Sequence, residues 1–517
     1  MRGADDLTLR RAAATGLLLL LALPCALSAQ SSDTALAARL RAHVTAAQPR
    51  ILAEFIELLS IPNLASDSVG IRANAARLVA MLERRGVVAR TLESPGGGAP
   101  AVYGELRSPG AARTVMLYAH YDGQAVRPAD WATPPWTPTL RRAPGRLSDP
   151  AIDRPQAGDT IPAEARLYAR SASDDKAPIM AMMAALDALR ALDVAPAANL
   201  RFFFEGEEEA GSPHLEALLR AHAPLLAADT WLFCDGPVHA TGRPQVSLGF
   251  RGVLDLELTL QGPSRALHSG HYGNWAPNPL VELSHLIAAM RDREGRVTIP
   301  GFYQDVVPPS QAELAAVRAA PNTDDSVRRS LGLHRTEGKG ARLGERVLLP
   351  ALNVRSISGG TPGVNAIPTE ATASIDIRLV PRQRPARVKQ SVETFLKAQG
   401  YVVTPADSAA PPGMERTRIA RISWGEGYAA VRTPADAPAA RQLRNILREA
   451  TGNDPVVVPS SGGSLPLDVF QRALGVVPIN LPIVNPDNNQ HAANENLRLR
   501  NLWDGVVIYG VLIARFN

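Results

Sequence analysis

Acidic and histidine side chains follow four stretches of this sequence that have the length and apolar character of buried strands. His120 and Asp122 follow the first stretch, an acidic run from Glu205 to Glu209 the second, and Asp235 the third, while His491 follows the fourth through a loop. In open α/β sheets, active groups gather beyond the carboxyl ends of the strands. We therefore expect these segments to bring carboxylates and imidazoles together at one edge of a sheet, as a metal site requires.

The spacing within these segments favours metal binding. His120 and Asp122 are two residues apart, so on an extended segment the carboxylate can hold the ring of a metal-binding histidine. Three consecutive carboxylates, Glu207 to Glu209, would repel one another at the mouth of a buried sheet unless divalent cations paired their charges. Each segment alone has a simpler interpretation: a surface His-Asp pair, a solvated acidic turn or, for the acidic pair Asp174-Asp175, a plain helix cap.

The elements that must position these residues alternate between strand and helix, which predicts an α/β fold. We expect a catalytic α/β/α sandwich around a mostly parallel sheet, and a surface loop over the Pro- and Gly-rich region Pro128–Ala165. The predicted strands are Val115–Ala119, Leu200–Phe204, Trp231–Cys234 and Val477–Leu481, and the predicted helices are Leu36–Leu59, Arg72–Arg85, Ala177–Leu192, Pro213–Leu226 and Ala439–Ala450.

The pattern changes near residue 249. Leu254–Leu260 and Ala371–Leu379 alternate strictly between apolar and polar residues, as half-exposed strands do, and a helix is predicted around Pro279–Asp292. These features predict a smaller α+β domain inserted into the first. The predicted boundaries are 1–29 for a signal peptide, 30–248 and 431–517 for the catalytic domain, and 249–430 for the inserted domain.

The N-terminus has the pattern of a secretory signal peptide. Arg10 and Arg11 precede an apolar stretch from Ala12 to Leu27, and small residues follow up to Ala29. That stretch is shorter than the roughly 20 residues needed to span a bilayer. We expect an exported protein, periplasmic or secreted, with no stable membrane anchor after cleavage.

The charge of the chain argues against a nucleic-acid partner. Its 55 basic and 50 acidic residues leave a formal net charge of +5, and the basic residues form no concentrated run.

Read together, the motifs resemble the dinuclear zinc exopeptidases that include carnosinase, glutamate carboxypeptidase and aminoacylase, and the dipeptidase-like branch most closely. The resemblance runs from about Ala35 to the C-terminus. Its motifs, in the family's order, are His120-Tyr121-Asp122, Ser173-Asp174-Asp175-Lys176, Glu205 to Gly211, Asp235, His268-Ser269-Gly270, Arg378-Leu379-Val380-Pro381, Gly462-Gly463-Ser464 and His491 to Glu495. Family members usually have glycine where Ser171 and Ala177 stand.

The resemblance implies two divalent metal ions, of which zinc best suits histidine and carboxylate ligands, although manganese and cobalt are also acceptable. It also implies a bridging role for Asp174, through a cis peptide bond to Asp175. The implied metal ligands are His120, Asp174, Glu209, Asp235 and His491.

The resemblance further implies the catalytic roles. Glu208 would be the general base, Asp122 would orient His120, and His268 would polarise the scissile carbonyl. The inserted domain would serve as lid and dimerisation domain of a homodimer. The implied substrate-binding residues are Arg378, Asn365, Gly463 and Ser464.

These features predict a metallopeptidase that hydrolyses dipeptides or short peptides with a free C-terminal carboxylate, through a metal-bridged water and the base Glu208. Two alternatives stay open. One is an amidohydrolase of N-acyl amino acids from the same family, which an assay of dipeptides against N-acetyl amino acids would distinguish. The other is an exported binding protein that has lost catalysis, which a Glu208 variant with unchanged amide hydrolysis would favour.

Overall fold

The computed structural model describes residues 23–143, 147–148, 150–156, 158–408, 415–465 and 467–517. The chain forms two compact units: the first comprises Met1–Pro244, Arg441–Pro455 and Leu481–Asn517, and the second Gln245–Ala440 and Val456–Asn480. Residues 1–22 of the predicted signal peptide lie outside the described residues, and its predicted end at Ala29 falls within a helix, Leu23–Leu59. The boundaries predicted for the inserted domain stay predictions.

The first unit combines helices with two sheets. Its helices are Leu23–Leu59, Ser68–Glu83, Lys176–Ala191, Leu215–Ala221, Ala223–Leu226 and Leu499–Arg515, with most of Pro438–Thr451. Its strands are Val88–Leu92, Ala101–Leu106, Thr114–His120, Thr139–Arg141, Arg166–Tyr168, Asn199–Glu205, Thr230–Phe233 and Asn496–Arg498, and short 3₁₀ turns occur at Pro128–Asp130 and Glu208–Ala210.

Five of these strands lie side by side in the order Val88–Leu92, Ala101–Leu106, Asn199–Glu205, Thr114–His120 and Thr230–Phe233. The last three are parallel, whereas the first two pair antiparallel with their neighbours. The short connection between residues 92 and 101 suits an antiparallel pair, because a parallel pair needs a long crossover. The α/β class is confirmed, with parallel pairing limited in this unit to the strands that carry the predicted ligands.

One helix of the first unit, Lys176–Ala191, is buried on nearly every side. Its residues from Lys176 to Leu186 are all buried, and Ala177, Met180 and Met182 have no exposed surface. A helix that is apolar all round belongs inside a protein, and Pro178 is tolerated in its first turn because the N–H groups there have no partner within the helix. This helix therefore gives the segment before it a rigid support.

The second unit is built on a five-stranded sheet in the order Ala351–Ser358, Glu370–Leu379, Gly252–Gln261, Ile419–Trp424 and Val402–Pro405. Helices Pro279–Met290 and Pro385–Ala398 contribute Leu283, Leu286, Val392 and Leu396 to the same apolar core as the sheet. Its other helices are Ser269–Tyr272, Gln311–Ala319, Asp324–Ser330, Leu343–Val347 and Asp468–Leu474, with a 3₁₀ turn at Arg416–Arg418. Its other strands are Gln245–Ser247, Gly249–Phe250, Leu267–His268, Ala366–Ile367, Val431–Arg432, Val456–Val458 and Ile479–Asn480.

Three predicted elements differ from the structure. The strand predicted at Val477–Leu481 is only Ile479–Asn480, because Pro478 has no N–H for a ladder. The helix predicted at Pro213–Leu226 is two helices, and the second begins just before Pro224. The predicted loop Pro128–Ala165 contains a strand, Thr139–Arg141, that pairs with Arg166–Tyr168.

Within the described part of the chain, no helix combines the length and the apolar character that crossing a membrane requires.

Candidate metal centre

Three parallel strands of the first unit place three of the five predicted ligands, His120, Glu209 and Asp235, at or just beyond their ends. His120 is the last residue of its strand and lies opposite Glu205, the last residue of the neighbouring strand. Asp235 follows the strand Thr230–Phe233 on the other side. His120 and Glu205 are buried and Asp235 is partly buried, so polar groups at this sheet edge need partners other than water.

Asp174 lies between two histidines. One carboxylate oxygen is 2.9 Å from Nε2 of His120, and the other is 3.1 Å from Nε2 of His491. The Asp174–Asp175 peptide bond is cis, as the resemblance implies. Helix Lys176–Ala191 begins directly afterwards, but its N-cap residue Asp175 makes no capping hydrogen bond through its side chain, which removes the simple helix-cap interpretation of this pair.

Two groups of side chains have the ligand types and the spacing of a metal site. His120, Asp174 and Asp235 form one group, and Asp174, Glu209 and His491 form the other; within each group the ligand atoms lie within 4.8 Å of one another. Asp174 belongs to both groups. The structure thus brings together all five residues that the sequence analysis proposed as metal ligands, in an arrangement that can hold two neighbouring ions.

Asp122 and Glu208 lie beside these groups. The Asp122 carboxylate is 3.4 Å from Nδ1 of His120, on the side of the ring opposite Asp174. It also accepts the backbone N–H groups of Glu208 at 3.1 Å and Glu209 at 3.0 Å. Asp122 therefore lies beside the His120 ring and holds the turn that carries both glutamates, while a Glu208 oxygen lies 4.0 Å from Nε2 of His120.

The three consecutive carboxylates Glu207 to Glu209 do not all face the metal centre. The prediction that divalent cations must balance all three charges is therefore wrong for Glu207. Its carboxylate pairs with Nδ1 of His214 at 2.9 Å and accepts the N–H of Ala99 at 2.9 Å. Only Glu208 and Glu209 point towards the centre, and Glu209 is held there by the amide of Gln124 at 2.8 Å. The 3₁₀ turn Glu208–Ala210 gives the consecutive side chains different directions.

The buried charge of the centre fits divalent cations. Burial, and then the negative charge of Asp174, raises the pKa of Glu209 to about 7 and that of Asp235 to about 6. Burial also raises the pKa of Glu208 well above its usual range. Among the residues that the structure describes, too few positively charged side chains lie near these carboxylates to balance their ionised forms. Bound metal ions would supply the missing positive charge.

Removal of metal should therefore make the stability of the protein depend on pH. The raised carboxyl pKa values mean that the metal-free folded state holds protons that the unfolded chain releases near pH 4, so stability falls as the pH rises through about 6 to 7. The titration of His491 changes the stability in the same direction. Its hydrogen bond to Asp174 raises its pKa, so the stability that this contact contributes disappears at higher pH. We expect the melting temperature of the EDTA-treated protein to fall by at least about 5 °C between about pH 5 and pH 8.

Thermal unfolding of the metal-free protein, with and without added Zn²⁺, measures this effect. Zinc should raise the melting temperature more at pH 8 than at pH 5, because its ligands must be deprotonated. A metal-free melting temperature that is constant or rises over this range would contradict the assignment of these buried acids.

The remaining predicted site residues belong to the second unit. His268 is the N-cap residue of the short helix Ser269–Tyr272, and its ring accepts the N–H of Gly270 at 3.1 Å. The N–H of Ser269 donates to the carbonyl of Asn365 at 3.0 Å. His268 and Asn365 are thus neighbours.

Arg378 and the predicted glycine-rich loop also meet within the second unit. The Arg378 guanidinium donates to the hydroxyl of Ser464 at 2.8 Å and is 3.0 Å from the Asp376 carboxylate. Gly463 lies next to Ser464 in the same loop. Arg378 is therefore a partly exposed cation that a hydroxyl and a carboxylate hold in one orientation.

One buried residue of the first unit went unrecognised in the sequence. The Asn63 amide donates to the carbonyl of Tyr121 and to the hydroxyl of Ser171, both at 2.8 Å, and accepts the indole N–H of Trp136 at 3.0 Å. It thereby joins the segment that carries His120 to the turn that carries Asp174. A lone asparagine after a proline gives no sequence signal for such a role.

An α/β unit whose strand ends present two ligand groups that share one carboxylate has the centre of a dinuclear metal-dependent hydrolase. Comparison with known proteins agrees. Residues 116–515 match the peptidase family M20/M25/M40, and the chain belongs to this family. It is therefore a peptidase, which confirms the resemblance and the predicted class of enzyme. The predicted cofactor, two divalent metal ions with zinc as the typical one, is confirmed too.

Individual relatives are distant. The Cys-Gly metallodipeptidase dug1 of Schizosaccharomyces pombe is 26% identical over 422 residues, which cover 79% of this chain and 81% of the relative. The human Beta-Ala-His dipeptidase is 26% identical over 421 residues, with 79% and 76% covered. Among solved structures, the M20 family metallo-carboxypeptidase Sso-CP2 of Sulfolobus solfataricus superposes with a TM-score of 0.69 at 27% identity, over 90% of this chain and 98% of that one.

The prediction that the protein is exported, periplasmic or secreted, is wrong. The yeast Cys-Gly metallodipeptidases to which the chain is similar are cytosolic enzymes. An apolar N-terminal stretch behind two arginines fits the signal-peptide pattern by composition alone, and composition does not identify the compartment.

Proposed function

We propose that this peptidase is a metallodipeptidase that cleaves dipeptides or short peptides with a free C-terminal carboxylate. The observation that carries the proposal is the pair of ligand groups that share Asp174, with Glu208 beside them but in neither group. The similarity to the yeast Cys-Gly and the human Beta-Ala-His dipeptidases supports this substrate class.

Within the proposed mechanism, His120, Asp174 and Asp235 would hold one divalent ion, and Asp174, Glu209 and His491 would hold the other. When bound, such a pair of ions would supply a water of lowered pKa and polarisation of the substrate carbonyl. Glu208 accepts the proton of the attacking water and passes it to the leaving amine. Its position supports this role, since the side chain is only 20% exposed and its turn is fixed by Asp122.

We assign the recognition of substrate to residues of the second unit. Arg378 binds the terminal carboxylate of the substrate, with Asn365, Gly463 and Ser464 contributing near the same group. His268 donates a hydrogen bond to the oxyanion that develops from the scissile carbonyl. The hydrogen bond to Ser464 and the contact with Asp376 support the assignment of Arg378. They orient its planar guanidinium group, whose paired N–H donors match the two oxygens of a carboxylate.

Hydrolysis of a dipeptide library by the zinc-loaded protein, compared with hydrolysis of N-acetyl amino acids, tests the substrate class. We expect the dipeptides to be preferred in kcat/KM. Preference for the N-acetyl amino acids would instead identify an amidohydrolase, and absence of hydrolysis of either class would contradict the proposal.

Replacing Arg378 with alanine should selectively impair substrates that have a free carboxylate. Loss of a charge-assisted bidentate contact costs about 2 to 3 kcal/mol, so kcat/KM should fall about 30- to 150-fold for free dipeptides. For C-terminally amidated peptides it should change little. Arg355→Ala, which removes another arginine of the same sheet, serves as the control, and an equal loss on both kinds of substrate would refute the role of Arg378.

We further propose that the protein forms a homodimer through the second unit, which would then act as the lid and dimerisation domain. This unit exposes several large apolar side chains, among them Trp275 at 79%, Val364 at 58% and Ile357 at 47% exposure. Ile357 lies on the edge strand Ala351–Ser358 of the sheet. Light scattering after gel filtration should give twice the mass of the chain, and Ile357→Lys should lower it.

A further inference from the structure

The turn that carries Asp174 is wrapped around the carboxylate of Glu495. This side chain has no exposed surface. One of its oxygens accepts the backbone N–H groups of Ser173 at 2.8 Å and Asp174 at 2.9 Å, and the other accepts the N–H of Ser171 at 2.9 Å. Three N–H groups of one turn thus converge on a single carboxylate, in the manner of an anion-binding loop.

Arg170 supplies the fourth donor. Its guanidinium donates to Glu495 at 2.9 Å and is also buried. The indole ring of Trp131 lies over the guanidinium, with 5.1 Å between the guanidinium carbon and the ring centroid. A buried carboxylate is costly unless it is paired and hydrogen-bonded, and here every contact that compensates its charge comes from the segment leading to Asp174 or from the arginine at its start.

Glu495 is also joined to the second histidine of the centre, since it lies four residues after His491. Asn496, the next residue, opens the strand that pairs with Arg166–Tyr168, and its carbonyl accepts the Ser173 hydroxyl at 2.7 Å. Before Glu495, the side chain of Asn494 accepts the N–H of Ala132 at 2.8 Å. The His491 loop and the Asp174 turn are therefore fastened together at Glu495.

We propose that Glu495, paired with Arg170, is the positioning residue of the dinuclear centre: it holds Asp174 at the distance from His491 that allows the two groups of ligands to share one carboxylate. Glu495 itself belongs to neither group of ligands and acts through the backbone of the turn. The inference rests on the proposed metal centre and does not depend on which peptide is cleaved.

Glu495→Gln tests this role because it keeps the shape of the side chain and removes one acceptor. Whichever way the amide is turned, its NH₂ group faces two donors, either two backbone N–H groups or one N–H and Arg170. Supporting residues of this kind typically contribute 10- to 100-fold in metal affinity. We expect Zn²⁺ to bind metal-stripped Glu495→Gln about 10- to 100-fold more weakly, and the visible absorption spectrum of the Co²⁺-loaded protein to change.

The matched control is Glu54→Gln, which alters another largely buried carboxylate of the same unit. Glu54 contacts Arg84 and Arg85 and no residue of the centre. It should lower the melting temperature without changing zinc affinity or the cobalt spectrum. A folded Glu495→Gln protein that binds two zinc ions with wild-type affinity and an unchanged cobalt spectrum would overturn the inference.

If Glu495→Gln does not fold, Arg170→Gln provides the test, since it leaves the three backbone N–H donors in place. Its zinc affinity should fall by a smaller factor, about tenfold, and wild-type affinity would overturn the inference. Zinc titration of the wild-type protein distinguishes the metal centre from the role of Glu495. Failure of the wild type to bind two ions would refute the metal centre itself, whereas two ions bound with equal affinity by the wild type and by the Glu495 and Arg170 variants would refute only the role of Glu495.

Discussion

Glu208→Gln should lower the turnover of dipeptides by about 10²- to 10⁴-fold while both metal ions stay bound. Glutamine retains the shape of the side chain and cannot accept the proton of the attacking water. Glu208 belongs to neither group of ligands, so its loss should leave metal content unchanged. Steady-state kinetics and elemental analysis of the same preparation measure the two effects.

The adjacent acid provides a matched control. Glu207→Gln changes the same functional group one residue earlier, where the carboxylate pairs with His214. It should reduce turnover far less than Glu208→Gln. Loss of metal from Glu208→Gln would mean that the roles of base and ligand have been exchanged, and equal kinetic losses in the two variants would show that the acidic run acts through structure alone.

Asp174→Asn should weaken the binding of both metal ions, because Asp174 is the one residue that the two groups share. Asparagine is neutral and leaves His120 and His491 without the carboxylate that lies between them. We expect fewer than two ions per chain and a fall in kcat/KM of at least about 10³-fold, equivalent to about 4 kcal/mol of transition-state stabilisation.

Asp187→Asn is the control for Asp174→Asn. Asp187 lies in the helix that follows the Asp174 turn and pairs with Arg50 and Arg85. This change should leave the metal content at two. A dinuclear, active Asp174→Asn protein would contradict the bridging role, and a mononuclear protein with full activity would show that only one group of ligands is needed.

The positions of several ligands could be predicted from the sequence because they adjoin an element with a strong local pattern, whereas the complete set of ligands depended on the family resemblance. The strand before His120 and the helix after Asp175 have unmistakable apolar patterns, and parallel strands present their carboxyl ends at one edge. The supporting contacts could not be predicted in the same way. Glu207 and Glu208 are chemically identical in the sequence, and only the direction of the 3₁₀ turn separates a partner of His214 from a candidate base.

Long-range partners explain the other omissions. Glu495 accepts backbone N–H groups of the Asp174 turn, whereas Asn63 contacts the Tyr121 carbonyl and the side chains of Ser171 and Trp136. All of these partners lie far away in the sequence. The type of a residue does not indicate which partner its backbone N–H group will bind. The unpredicted strand Thr139–Arg141 has the same origin, since its partner Arg166–Tyr168 stabilises a segment whose composition favours a loop.

Ser171 and Gly123 show how one choice of residue constrains another. Ser171 has a positive φ of 62°, which is costly for a residue with a side chain, and its hydroxyl contacts the Asn63 amide. A Cβ atom added at Gly123 would lie 2.5 Å from that hydroxyl oxygen. Glycine at position 171 would remove the closest of the contacts that keep position 123 a glycine, but Cγ of Arg170 and Nδ2 of Asn63, both at 3.1 Å, would still crowd a Cβ atom there. Three residues of two loops therefore restrict position 123 together.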